Sequence, residues 1–231
     1  MLAKQIVPGL YGIALGPVNV FLIDNGADLT LIDTGIAANA EKILRAIQEL
    51  GKQPAQLKHI VVTHCHPDHA GSLAALKQAT GALAYMHPRD AELVVNGQAS
   101  RPLHPTPGLV NHIIFKLFVR AGTAQIPAAE VECLVNNGEE LAIAGGIKAI
   151  HAPGHCAGQL ALLWPQQGGV LFAADTASNV LGLNLSMCYE DLAEGQWTLA
   201  RLAGLEFEVA CFGHGKAITS GATQRFRKKF T

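Results

Sequence analysis

This 231-residue chain is poor in charge and in aromatic rings: Asp, Glu, Lys and Arg make up 15% of it, and Phe, Trp and Tyr only 6%. Its formal net charge of -1 gives no basic footprint for nucleic acid and no attraction to an anionic membrane. No apolar run approaches the roughly 18 residues that span a bilayer. The nearest, IIFKLFV at 113–119, is interrupted by Lys116. The opening stretch MLAKQIVPGLYGIALG is broken by Pro8, Gly9, Gly12 and Gly16, so it lacks the uninterrupted apolar segment of a signal peptide. The five cysteines, Cys65, Cys133, Cys156, Cys188 and Cys211, are odd in number and form no CxxC pair, which argues against a disulfide framework. Repeats and low-complexity tracts are also missing. These absences predict a cytoplasmic protein with reduced thiols, no nucleic-acid or membrane partner, and a small or neutral ligand; a homodimer stays open.

What is present is apolar: 49% of the residues are hydrophobic, enough for a sizeable core in one large domain or two small ones. VNVFLIDNGADLTLIDTG holds two β-rich runs around Asn25-Gly26, a hairpin signal. AEKILRAIQELG places Ile43, Ile47 and Leu50 at helical spacing before Gly51. LKHIVVT predicts a short buried strand, AGSLAALKQATG a helix closed by Gly81, ALAYMHP a strand, and PRDAELVV a helix with Pro88 near its first position. From about 96 to 138 the pattern loosens into prolines and an apolar helical segment, LVNHIIFKLFVRAG, within a partly helical insertion. That segment has two readings, a cover over the site and a structural helix packed on the core. VECLV, IKAIHA, QLALLW and GVLFAAD then predict strands, followed by a helix at about 191–203, the strand EVACFG and a final helix. Strands grouped in both halves, with helices after them, predict two β-sheets packed face to face and covered outside by helices.

THCHPDHAG, at 63–71, packs three histidines and an aspartate between His64 and His69, where a strand hands over to a helix. In an extended segment alternate residues share a face, so His64 and His66 can offer both imidazoles to one ion while Cys65 points away. Asp68 and His69 follow the turn at Pro67 and can hold a second ion. Catalytic zinc takes about three protein ligands and keeps a position for water, so this loop needs partners from elsewhere. His155 in HAPGHCAGQ, Asp175 in LFAADTA and His214 in CFGHGKA stand at strand ends beside small residues. Cys65 and Cys156 adjoin these positions but fit small buried thiols better than sulfur ligands. His104 and His112 are the histidines that the 96–138 span could bring over the site. RFRKKF, at 225–230, reads as a helix end whose cations suit the macrodipole.

The segments IDTG at 32–35, THCHPDHAG at 63–71, APGHCAGQ at 152–159, FAADT at 172–176 and FGHG at 212–215 together resemble the metallo-β-lactamase-fold hydrolase superfamily, over nearly the whole chain. The resemblance implies an α/β (α+β) chain folded as a four-layer αββα sandwich, a single domain over 1–231 with two mixed sheets flanked by helices. It implies His64, His66 and His155 on one metal, Asp68, His69 and His214 on a second, Asp175 bridging both, and Asp33 supporting the ligands from behind. Two divalent ions are implied, zinc first, with manganese or iron as alternatives. The implied chemistry is hydrolysis by a hydroxide that bridges the metals, with Asp175 as a catalytic bridge and Asp68 relaying the proton to the leaving group.

Within the superfamily the residues disfavour a true β-lactamase, which lacks an Asp at the bridging position. Only 17 residues follow His214, too few for the helical domain with which glyoxalase II holds glutathione. Lactonases of the family carry a Tyr three residues past the bridging Asp, where this chain has Ser178. The expectation is a hydrolase of a small-molecule ester, thioester or lactone, glyoxalase II-like or lactonase-like. The alternatives are a phosphodiesterase and a mononuclear iron oxidoreductase resembling persulfide dioxygenases.

Overall fold

A computed structural model describes residues 1–118 and 124–231 of the chain. Four strands open it: β1 (Ala3–Val7), β2 (Leu10–Ala14), β3 (Asn19–Asp24) and β4 (Leu29–Ile32), an antiparallel meander. Its last turn is the one expected at Asn25-Gly26. Gly26 takes a φ of +95° there, and the Asp24 and Asn25 side chains accept the backbone N–H groups of Gly26 and Asp28.

Helix α1 (Ala40–Glu49) then crosses over to β5 (Leu57–Val61), which runs parallel to β4. Helices α2 (Pro67–Ala70) and α3 (Leu73–Thr80) lead to β6 (Leu83–Met86), parallel to β5, and α4 (Pro88–Val95) follows. Gly81, at φ +70°, closes α3 as its sequence predicts. A short strand, β8 (Cys133–Leu134), completes a seven-stranded sheet ordered β1-β2-β3-β4-β5-β6-β8. Only these two residues of VECLV enter it. Two-residue β7 (His104–Pro105) pairs instead with β15 (Cys188–Tyr189).

The second sheet is built from β9 (Glu140–Leu141), β10 (Ile147–His151), β11 (Leu160–Trp164), β12 (Val170–Ala174) and β16 (Val209–Phe212), in the order β16-β12-β11-β10-β9. A small ribbon of β13 (Ala177–Ser178) and β14 (Asn184–Leu185) leaves its end. Helices α6 (Leu192–Ala203) and α7 (Ala222–Phe230) flank it.

Alternation along the strands explains the layers. Phe21, Ile23, Ile32 and Val61 point from the first sheet into a shared core with Ile147, Leu160, Leu162 and Phe172 of the second. Their neighbours Leu22, Leu31 and Ile60 point outward and meet Ile43, Ile47, Leu73 and Leu76 of α1 and α3. On the far side Leu171 and Phe212 meet Leu199, Leu202 and Phe226 of α6 and α7. Each of these fully buried aliphatic or aromatic side chains contributes about 1.5–3 kcal/mol relative to exposure. The result is the αββα sandwich, and strands buried on both faces explain why the sequence runs are almost continuously apolar.

The span from 96 to 138 is tied into this frame at several points. Ala99, Ile126 and Ala129 are buried in the core under the first sheet. Helix α5 (Leu109–Phe118) instead leaves Leu109, Ile113 and Leu117 exposed. The expected continuation of that helix through 119–122 lies outside the described residues. No helix among the described residues is long and apolar enough to cross a membrane.

Candidate metal centre

Every anticipated ligand position lies where a strand ends at one edge of the sandwich. β5 stops at Val61 and the chain continues extended through Thr63 to His66, which precedes α2 with Pro67 at its first position. His155 lies in the loop between β10 and β11, Asp175 directly after β12, and His214 two residues after β16. At the end of β12 the register with β16 shifts, and Ala174 takes a left-handed φ of +47°. This kink aims Asp175 along the sheet edge; a left-handed alanine costs about 1–2 kcal/mol and persists only where surrounding contacts fix it.

The structure brings all seven side chains together. The ligand-type atoms of His64, His66 and His155 lie within 4.8 Å of one another, as do those of His64, His69 and Asp175, and those of Asp68, His69 and His214. His66 Nδ1 and His155 Nε2 are 3.0 Å apart. Asp175 Oδ2 is 3.1 Å from His214 Nε2 and 3.6 Å from His155 Nε2, while its Oδ1 is 3.5 Å from His69 Nε2. Asp68 Oδ2 approaches His214 Nε2 at 3.3 Å. Gly213 makes room for this convergence, because a Cβ there would stand 2.1 Å from Asp175 Oδ1 and 2.6 Å from His69 Cε1.

Outer partners set the ring orientations. Asp33, itself at φ +62°, accepts bonds from the Thr63 N–H (2.8 Å), the Thr63 hydroxyl (2.9 Å) and His69 Nδ1 (2.9 Å). With its proton on Asp33, the Thr63 hydroxyl accepts from His64 Nδ1 at 3.0 Å. His155 Nδ1 donates to the Cys188 carbonyl and His214 Nδ1 to the Pro17 carbonyl, both at 2.8 Å. Each of these four rings is thereby held by one nitrogen and presents the other to the cluster, the arrangement that fixes a metal ligand's tautomer.

Protonation in the bare cluster divides the histidines. Burial keeps His64 neutral, far below the ordinary imidazole value, and the neighbouring His69 and His66 add to this. His66 is pushed down to about 3, by burial and then by His155. Burial also lowers His155. His69 goes the other way, to about 9: burial opposes its charge, but Asp175, Asp33 and Asp68 outweigh it. Asp175 raises His214 to about 12 against the cost of burial. The carboxyls of Asp68 and Asp175 stay below the usual carboxylate range, because the adjacent His69 and His214 outweigh their desolvation. A neutral trio thus faces a protonated pair balanced by carboxylates.

The residues fit metal ions by a further observation. Nε2 of His64, His66 and His69 and Oδ1 of Asp175 are buried with no hydrogen-bond partner. Three of these residues, His64, His69 and Asp175, form one group of ligand-type atoms, and each orphaned atom would cost about 1–3 kcal/mol, which binding a cation would offset.

The other histidines lie apart from these groups. His104 and His112 are exposed on β7 and α5. His59 contacts the Tyr85 hydroxyl at 3.1 Å, and His87 stacks on His151 with ring centroids 4.3 Å apart. Cys65 and Cys156 are buried thiols whose sulfurs lie 3.6 Å apart, and Asp90 joins them in a further group of ligand-type atoms. Asp90, Arg101 and Glu190 escape a reading of the sequence. Asp90 looks like an ordinary first-turn acid of α4, and only the fold brings it under the ligand loops.

The chain is similar to several known proteins. A family model described as the metallo-beta-lactamase superfamily matches residues 13–214. The Bacillus subtilis protein YobT is 32% identical over 70% of this chain and 63% of its own length. The thioesterase pkgB of Emericella nidulans is 27% identical over 87% of this chain, which spans 46% of that protein. The probable metallo-hydrolase YflN of Bacillus subtilis is 26% identical over 98% of this chain and 90% of its own. Among solved structures, a mutant metallo-β-lactamase from Cronobacter sakazakii superposes with a TM-score of 0.73 at 20% identity, covering 93% of this chain and 78% of that one, a likeness of fold alone.

Proposed function

This chain belongs to the metallo-β-lactamase superfamily, and we propose that it is a two-metal hydrolase of a small-molecule ester, thioester or lactone. The observation that carries the proposal is the set of orphaned, buried ligand atoms on His64, His69 and Asp175, which lie in one group. His64, His66 and His155 would hold one ion, Asp68, His69 and His214 the other, with Asp175 serving both; zinc suits this nitrogen- and carboxylate-rich set. When bound, such ions supply a water acidified to a pKa of about 7 and a Lewis acid for the substrate oxygen.

The chain's own groups do the rest. Asp33 and Thr63 hold His69 and His64 in orientation. Asp68, a third exposed and beside His214, is the carboxylate of the cluster that reaches solvent, and its Oδ2 would pass a proton to the leaving atom. The thioesterase among the relatives supports a thioester within the substrate class.

The test pairs metal analysis of freshly purified protein with a panel of esters, thioesters, lactones and phosphodiesters. EDTA is expected to abolish hydrolysis, and zinc, manganese or cobalt to restore it. His66→Ala is expected to lose activity by orders of magnitude while keeping the fold. Hydrolysis that survives complete metal removal refutes the proposal, and turnover confined to the phosphodiesters moves it to that class.

A further inference from the structure

Beneath the His66 and His155 rings lies a second cluster that the proposed chemistry leaves without a role. Asp90, fully buried on α4, accepts four bonds: from Cys65 N–H at 3.0 Å, Cys156 Sγ–H at 3.0 Å, Gly158 N–H at 3.0 Å and Arg101 Nη1 at 2.7 Å. Cys65 stands between His64 and His66, and Cys156 directly follows His155. One carboxylate therefore ties together both loops that carry this trio. Glu190 seconds it: its Oε2 accepts from Ala157 N–H at 2.9 Å, and its Oε1 lies 3.4 Å from Arg101 Nη1. The fit is close, since a Cβ at Gly158 would stand 2.4 Å from Asp90 Oδ1.

The remaining ligands are moored elsewhere. His69 is held by Asp33, and His214 by the Pro17 carbonyl. The bonds Asp90 accepts from the ligand loops come only from the His64, His66 and His155 side. A neutral acceptor would bind the four converging donors less strongly, because hydrogen bonds to an ionised group are about twice as strong as neutral ones.

We propose that Asp90, with Arg101 and Glu190, is a positioning residue for one of the two ion positions: it sets the spacing of His66 against His155, and so the affinity of that position, independently of the other. This rests on the reading of the site as a two-ion centre.

The experiment is a zinc titration of the full chain against a chromophoric chelator, repeated with cobalt absorption spectra, on the wild type, Asp90→Asn, Glu190→Gln, His66→Ala and the double variant Asp90→Asn with His66→Ala. The wild type is expected to take up two ions. Asp90→Asn should weaken one of them by about tenfold or more, with the other unchanged and a changed cobalt spectrum for the weakened ion only. The ion weakened should be the one lost in His66→Ala, and Asp90→Asn should add nothing further in that background. Glu190→Gln should act on the same ion to a smaller degree, and decides the matter if Asp90→Asn does not fold. Equal weakening of both ions, or of neither, overturns the inference while the two-ion reading stands. A wild type that binds fewer than two ions overturns that reading and the inference with it.

Discussion

Asp33 shows how much one side chain does here. Its carboxylate holds the Thr63 backbone and hydroxyl on one side and the His69 ring on the other, at the point where β5 ends. Replacing it by Ala leaves a buried N–H and a buried ring nitrogen without their partner, each costing about 1–3 kcal/mol. Asp33→Ala is therefore expected to lower the denaturation midpoint of the metal-free protein. Zinc affinity should fall by about 10–100-fold, read by chelator competition. Unaltered zinc affinity would deny Asp33 its orienting part. The cluster HxHxDH was legible in the sequence because its spacing already carries the chemistry, and Asp33 only through the resemblance of IDTG to a family motif. Asp90 was not, because a lone acid in the first turn of a helix is commonplace and nothing local says which groups will surround it.

At the scale of elements, the strand ends decide the site. Ligands from the segment after β5 and from the loops that follow β10, β12 and β16 meet because the two sheets present those ends at a common edge. The loop after β16 can approach so closely only because residue 213 has no side chain. Gly213→Ala places a methyl against the buried side chains of Asp175 and His69, which must shift to admit it. Its backbone is not in the left-handed region, so the damage should stay local. We expect metal binding and hydrolysis to collapse while the far-ultraviolet circular dichroism keeps its native shape; a variant that binds zinc normally would contradict the contact described. Sequence periodicity was a good guide to these elements. It placed α1, α3, α4, β5, β6 and the hairpin between β3 and β4 with few errors, since each is fixed by a local apolar pattern and a stop residue. It was poor at two-residue strands such as β7 and β15, which have no period to read and exist only through their partner, and it made β8 longer than it is.

For the whole molecule, the site is a cost in the absence of metal. His64, His66 and His155 have folded values below an unfolded imidazole, so below about pH 6.5 the unfolded chain binds more protons and folding weakens as pH falls. His69 and His214 have raised values and act in the opposite sense: their contribution is fully present below about pH 6.5 and is lost as pH rises through about 9 and then 12. Metal-free protein should accordingly melt at lower temperature at pH 5 than at pH 6.5, with His64, His66 and His155 as the source. Saturating zinc at pH 7 should raise the melting temperature, by the equivalent of about 2.7 kcal/mol for one ion at a hundred times its Kd. A metal-free melting temperature that rises on acidification would reverse the assignment of neutral and protonated rings.

The sequence by itself determined two sets of strands with their helices and the ligand loop from His64 to His69, because apolar period and ligand spacing are local properties of a chain; the αββα arrangement and the full set of seven side chains came through the resemblance of its motifs to a known superfamily. Only the tertiary structure decided which atoms stand next to which. His66 and His155 touch across 89 residues, and His214 reaches Pro17 across 197. Such contacts depend on how two sheets stack and where their strands end. The same packing brings a buried carboxylate from α4 beneath the histidine loops, a neighbour that no local pattern encodes.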